Sequence, residues 1–101
     1  MQTRAARVLT EIPGPASRRL VEAESRHLAP GLQSIGLFSG IALAEGRGAR
    51  VTDVDGNTFI DFTAGVGVAS LGHAHPAYVR ALSEQLGRIS VGSYTCIHVA
   101  A

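Results

Sequence analysis

The 101-residue chain contains no lysine, and all nine of its basic residues are arginine. A reaction that depends on a lysine amine is therefore not completed by this polypeptide. Tryptophan is also absent, and the aromatic side chains amount to two tyrosines and three phenylalanines. With bulky core material this thin, the chain is expected to lean on another surface. One cysteine, Cys96, excludes an intramolecular disulfide and suits a reducing compartment. A formal net charge of +1 supplies no drive toward nucleic acid or an anionic membrane. The longest uncharged run, Leu28 to Ala44, is broken by Pro30, Gly31, Gly36 and Gly40. It falls short of the roughly 20 apolar residues of a membrane span. Near the N-terminus Arg4, Arg7, Arg18 and Arg19 outnumber Glu11, but Pro13-Gly14-Pro15 interrupts the amphipathic helix of a transit peptide, so a cytoplasmic location is expected.

What is present makes one small domain at most: 46% of residues are hydrophobic, enough for a core and too many for a disordered tail. Helical spacing of Leu20, Ala23 or Glu24, and His27 predicts a helix from Ser17 to about Leu28. Ser17 is its expected N-cap, Glu22 and Arg26 an i, i+4 pair, and Pro30-Gly31 its stop. Within the glycine-rich residues 31–48 only Ile41 to Ala44 reads as a short strand. Val51-Thr52-Asp53-Val54 and Thr58-Phe59-Ile60-Asp61-Phe62 flank Asp55-Gly56-Asn57, which predicts a β-hairpin needing a further strand or helix against it. Pro76 opens a second helix, with His75 extended at its N-cap. Tyr78, Leu82, Leu86 and Ile89 are its expected buried stripe, and Arg80, Glu84 and Arg88 an exposed ion-pair ladder.

Several groupings invite a chemical reading, and each falls short of a site. Asp53, Asp55 and Asn57 resemble the start of a calcium loop, but Gly56 stands fourth where the sixth position is needed, and Ala64 occupies the twelfth. Gly65, Gly67 and Gly72 follow a strand as phosphate-cradling loops do. Their spacing departs from the dinucleotide fingerprint, and close approach to a neighbouring chain or a ligand wall is the better use for them. His73 and His75 lack a placed third ligand for a metal hydrolase. Cys96 and His98 lack an orienting group and an oxyanion nest. On the residues alone there is no complete catalytic, cofactor or metal site.

Taken in order, Pro13-Gly14-Pro15 with Ser17, Gly46 and Gly48, Val51 to Asn57, Phe59 to Phe62, Ala64 to Val68, Gly72-His73-Ala74-His75-Pro76 and Gln85 form one pattern. It closely resembles the N-terminal region of class III pyridoxal-phosphate aminotransferases, the group of the 4-aminobutyrate, ornithine and acetylornithine enzymes. The resemblance implies an α+β fragment (helix, β-hairpin, helix) from the small domain of a fold type I enzyme that is α/β overall and homodimeric. Residues 1–16 are then an extended N-terminal arm, and residues 17–101 an incomplete segment without the cofactor domain. It implies transfer of an amino group from an amino acid or ω-amino acid to a 2-oxo acid, with pyridoxal 5'-phosphate as the intact enzyme's cofactor. It places Val66 and Gly67 beside the substrate pocket, and Ser93 and Tyr94 near the active-site entrance. The family's Schiff-base lysine has no match in this sequence, so the chain is expected to be inactive alone and not to bind the cofactor specifically. Two other readings stay open here: a small independent binding module, and a metal hydrolase built on His73 and His75.

Overall fold

A computed structural model describes residues 6–29 and 38–89 of the chain. Its centre is a three-stranded antiparallel sheet in the order β1 (Leu43–Arg47), β2 (Arg50–Asp53) and β3 (Thr58–Ile60). Helix α1 (Pro15–Ser25) precedes the sheet and helix α2 (Pro76–Leu86) follows it. The expected α+β order of helix, hairpin and helix is therefore observed, with a third strand added. Pairing of Val51 with Phe59 and of Thr52 with Thr58 sets the hairpin register. Only Gly56 of its turn takes a positive φ, +85°. Val51 and Asp53 face one side and are buried, whereas Arg50 and Thr52 face the other.

The third strand lies slightly downstream of the expected Ile41 to Ala44. Gly46 pairs with Val51 and Arg47 with Arg50, and a bulge falls between Leu43 and Glu45. A glycine flanked by charges is weak strand sequence, and pairing with β2 overrides the preference. β3 ends at Ile60, short of Phe62, because the Asp61 carboxylate turns the chain by accepting the Thr63 and Ala64 amides. The arm covers the outer edge of β3: Arg7 and Thr58 exchange backbone bonds of 2.9 and 2.7 Å. That contact removes an exposed strand edge.

α1 begins earlier than its spacing implied. Gly14 is the N-cap and Pro15 the first helical residue, so Ser17 lies inside the first turn, where it is fully buried. The Glu22–Arg26 pair forms at 2.8 Å on the surface. Leu20, Ala23, Glu24 and His27 face residues 41–43 across a groove of about 520 Å³. The expected stop at Pro30-Gly31 lies outside the described residues.

α2 has its N-cap at His75, extended at φ −62° and ψ 123°, as Pro76 requires. Its apolar stripe, however, is not buried: Tyr78, Leu82 and Leu86 are 55%, 45% and 62% exposed. Extensive packing between elements is confined to the sheet, and no other helix or strand among the described residues packs extensively on this face. Nor do Arg80, Glu84 and Arg88 pair with one another. Among the described residues Val51 is the one buried hydrophobic side chain. Polar groups therefore organise the fold.

Candidate functional site

The three aspartates around the hairpin each hold a different piece of chain. Asp53, 2% exposed, accepts the Asp55 and Asn57 amides at 3.0 and 2.8 Å through Oδ1, and the Asn57 side-chain amide at 2.8 Å through Oδ2. Asn57, fully buried, passes this restraint to the arm. Its Oδ1 accepts the Leu9 and Thr10 amides at 2.6 and 3.0 Å, and its Nδ2 donates to Thr10 Oγ1 at 2.9 Å.

Asp55 caps α1 from 38 residues away. Oδ1 accepts the Ala16 amide at 2.7 Å, and Oδ2 accepts the Ser17 amide at 2.8 Å and the Ser17 hydroxyl at 2.7 Å. Pro15 has no N–H to offer, so the carboxylate takes both first-turn donors and sets negative charge at the positive end of the helix. Desolvation pushes the Asp55 carboxyl upward, but the Ser17 hydroxyl, the Ala16 and Ser17 amides and the Arg19 charge outweigh it, leaving it below the ordinary 3.8. A depressed folded value means the anchoring is present above the unfolded value and is lost as pH falls through the folded one. Acidification below 3.8 is expected to release α1. The Ala16 and Ser17 amide proton resonances, followed by NMR from pH 6 downward, should move together only in that range.

Asp61 completes the set. Oδ1 accepts the Thr63 and Ala64 amides at 2.9 and 2.8 Å, and Oδ2 meets His73 Nε2 at 2.7 Å. The His73 hydrogen bond, then that of Ala64, lowers the Asp61 carboxyl below its usual range. The His73 ring sits over Gly46, where a Cβ would approach its Cγ to 2.7 Å.

The loop that follows Asp61 carries Val66 and Gly67, which the resemblance is expected to place beside a substrate pocket. Ala64, Gly65, Val66 and Gly67 have φ of 49°, 60°, 64° and 81°, a left-handed turn in which two residues are not glycine. For β-branched Val66 this backbone is a true outlier, and such outliers cluster at ligand clamps and active sites. Val66 and Val68 are largely exposed, as are Phe62 (92%) and Leu71. An exposed strained loop edged with apolar side chains can form one wall of a pocket, and its glycines leave room for a ligand. Gly72 serves another end: its close approach is to the backbone of Gly48 in the same chain, not to a neighbour.

The structure brings Val66 and Gly67 together on this loop. Ser93 and Tyr94, like Cys96 and His98, lie outside the described residues. His73 and His75 are not a pair: one ring is engaged by Asp61, and the other residue caps α2 and is exposed. Among the described residues no three His, Cys, Asp or Glu side chains converge as a metal set. The Asp61–His73 contact is not legible in the sequence, where His73 stands beside His75 as a candidate metal pair and Asp61 belongs to the hairpin. A carboxylate one residue past a strand was its one local signal, because Asp before a turn bonds its own backbone two residues on.

Residues 36–100 match the family model for aminotransferase class-III. The chain is 41% identical over 80 residues to an alanine/serine racemase of Pyrococcus horikoshii, covering 79% of this chain and 16% of that protein. It is 53% identical over 49 residues to an acetylornithine aminotransferase of Mycobacterium bovis, covering 48% of this chain and 12% of that one. Its fold matches the ornithine aminotransferase of Toxoplasma gondii at a TM-score of 0.67 and 26% identity, over 82% of this chain and 18% of that structure, which holds PLP at partial occupancy in its active site. The chain thus spans less than a fifth of the length of each of these relatives. The family match takes in well over half of the sequence, and the chain belongs to the class-III aminotransferases.

Proposed function

We propose that this segment opens the smaller α+β domain of a fold type I, pyridoxal-phosphate-dependent class III aminotransferase subunit. The complete enzyme, a cytoplasmic homodimer, moves an amino group from an amino acid or ω-amino acid to a 2-oxo acid. The observation that carries the reading is the family match over residues 36–100, which includes the strained loop at Val66 and Gly67. In this reading Val66 and Gly67 line the substrate pocket, and Ser93 and Tyr94 stand near its entrance.

The residues of this chain do not fit the cofactor's own anchorage. The cofactor supplies an electron sink when bound, but its aldehyde is tethered by a lysine, and the sequence has none. Asp53, Asp55 and Asp61 spend their oxygens on N–H and O–H groups of this chain. The contribution of the segment is shape: it holds one wall in place.

Two measurements test this. Incubated with pyridoxal phosphate and reduced with borohydride, the purified chain is expected to gain no cofactor mass on a lysine, and to show no transamination even where its N-terminal amine is modified. Sustained turnover by the 101-residue chain would overturn the reading. A cooperative monomeric melt above about 45 °C, within the ordinary domain range, would favour an independent binding module instead. The 80-residue match to a racemase supports a second reading, racemisation by the complete enzyme. Product analysis separates the two, since racemisation exchanges enantiomers without forming a 2-oxo acid.

A further inference from the structure

The loop between Asp61 and His73 leaves the sheet and returns to it at the same place. The Asp61 amide donates to Ala49 O at 2.9 Å, and His73 exchanges backbone bonds of 2.8 and 2.9 Å with Gly48. The turn between β1 and β2 thus holds both ends of the loop. Across that closure the two side chains meet, His73 Nε2 against Asp61 Oδ2 at 2.7 Å. Glycine makes the closure possible at two points. A Cβ at Gly72 would lie 2.9 Å from Gly48 Cα, and one at Gly46 would lie 2.8 Å from His73 Cβ.

The left-handed turn at Ala64–Gly67 hangs from this closure. L residues with a Cβ avoid that backbone, β-branched ones most of all, so the turn persists only where its surroundings fix it. Two backbone bonds act within it, Gly67 N–H to Thr63 O at 3.0 Å and Ala69 N–H to Ala64 O at 2.9 Å. The side chain that fixes its entry is Asp61, through the Thr63 and Ala64 amides, and the side chain that orients Asp61 is His73. Exposed Val66 and Val68 gain no fixing contact from burial.

We propose that Asp61 and His73 are a positioning pair, a clasp that sets the Val66–Gly67 wall at the height the amino donor meets. This rests on the reading of Val66 and Gly67 as pocket residues. Neither side chain need touch substrate. His73 fixes the Asp61 carboxylate, which fixes the turn, and the turn presents the wall.

The test uses the complete subunit carrying this segment, with H73L, H73N and H73Q. Glutamine places a donor N–H close to where Nε2 stands, asparagine is too short, and leucine offers none. Hydrogen exchange across residues 61–68, read by mass spectrometry, is expected to accelerate at least ~10-fold in H73L and H73N. H73Q should stay near the unmodified rate, and residues 50–60 should not change. With pyridoxal phosphate bound, KM for the amino donor should rise about tenfold in H73L, kcat should fall much less, and H73Q should restore KM. Unchanged exchange in H73L would overturn the clasp. Loss of kcat and of bound cofactor at unaltered KM would overturn the positioning role. Should H73L not fold, the contrast between H73N and H73Q decides. If the unmodified subunit turns over no amino donor, the pocket reading fails by itself, and exchange alone then tells whether the clasp holds the turn.

Discussion

Replacing Asn57 by aspartate should loosen the hairpin and the arm together, and more than replacing it by alanine. Asn57 is fully buried and links Asp53 to Leu9 and Thr10 through both ends of its amide. N57A removes the acceptor of two backbone amides and the side-chain donor to a buried carboxylate. Groups stranded in this way cost about 2–4 kcal/mol in total. N57D keeps the shape and the acceptor, but turns a 2.8 Å amide–carboxylate bond into two facing carboxylates. Like charges at such a distance do not both ionise, and one must take a proton or move into water. The expected cost at pH 7 is about 3–5 kcal/mol, in the range for an uncompensated buried charge. Part of it should return on acidification as the pair comes to share a proton. Hydrogen exchange of peptides covering residues 7–10 and 50–60, compared at pH 5 and pH 7, measures both effects. An N57D protein as protected as the unmodified one at pH 7 would show that Asn57 is not the link between turn and arm.

The order of stabilities follows from how little else there is to hold these elements. With one buried hydrophobic residue among those described, area burial cannot be the main term, and satisfied polar networks take its place. The same reasoning explains which features were legible in the sequence. The hairpin was, because Asp55-Gly56 and its β-branched flanks are neighbours in the chain. The start of α2 was, because Pro76 restricts both itself and His75. The Glu22–Arg26 pair is likewise a local spacing. What stayed hidden joins distant positions: Asp55 with Ser17, Asn57 with Leu9, Asp61 with His73. No periodicity records such a bond, since any carboxylate looks alike until the fold decides which amide it faces. Ser17 shows the effect of that blindness. Its residue type pointed to an N-cap of its own helix, whereas its hydroxyl is a donor to a carboxylate that caps the helix from outside. The stripe of Tyr78, Leu82 and Leu86 shows the converse: its helical periodicity was read correctly, and the surface that would bury it is not among the described residues.

That external cap yields the second large effect, and a glycine tests it better than the aspartate does. Gly14 has φ −73° and ψ 172°, a backbone any residue adopts, so G14A brings no conformational strain. What it brings is a methyl group 2.5 Å from Asp55 Oδ2 and 2.7 Å from Asp55 Cβ. The carboxylate cannot swing aside cheaply, because three hydrogen bonds from Ala16 and Ser17 fix it. G14A should therefore undo the cap as thoroughly as D55G does, with exchange over residues 15–25 accelerating on the order of 100-fold in each. The two changes should not add. Once D55G has removed the whole side chain, the nearest atoms that a methyl group at position 14 would meet are gone, and the double variant should match D55G alone, which is the signature of residues acting through one contact. G14A should also abolish the acid-induced release of α1, since the helix would already be free of Asp55 at neutral pH. Additive effects, or an acid transition that survives in G14A, would mean that α1 is held by something other than this carboxylate.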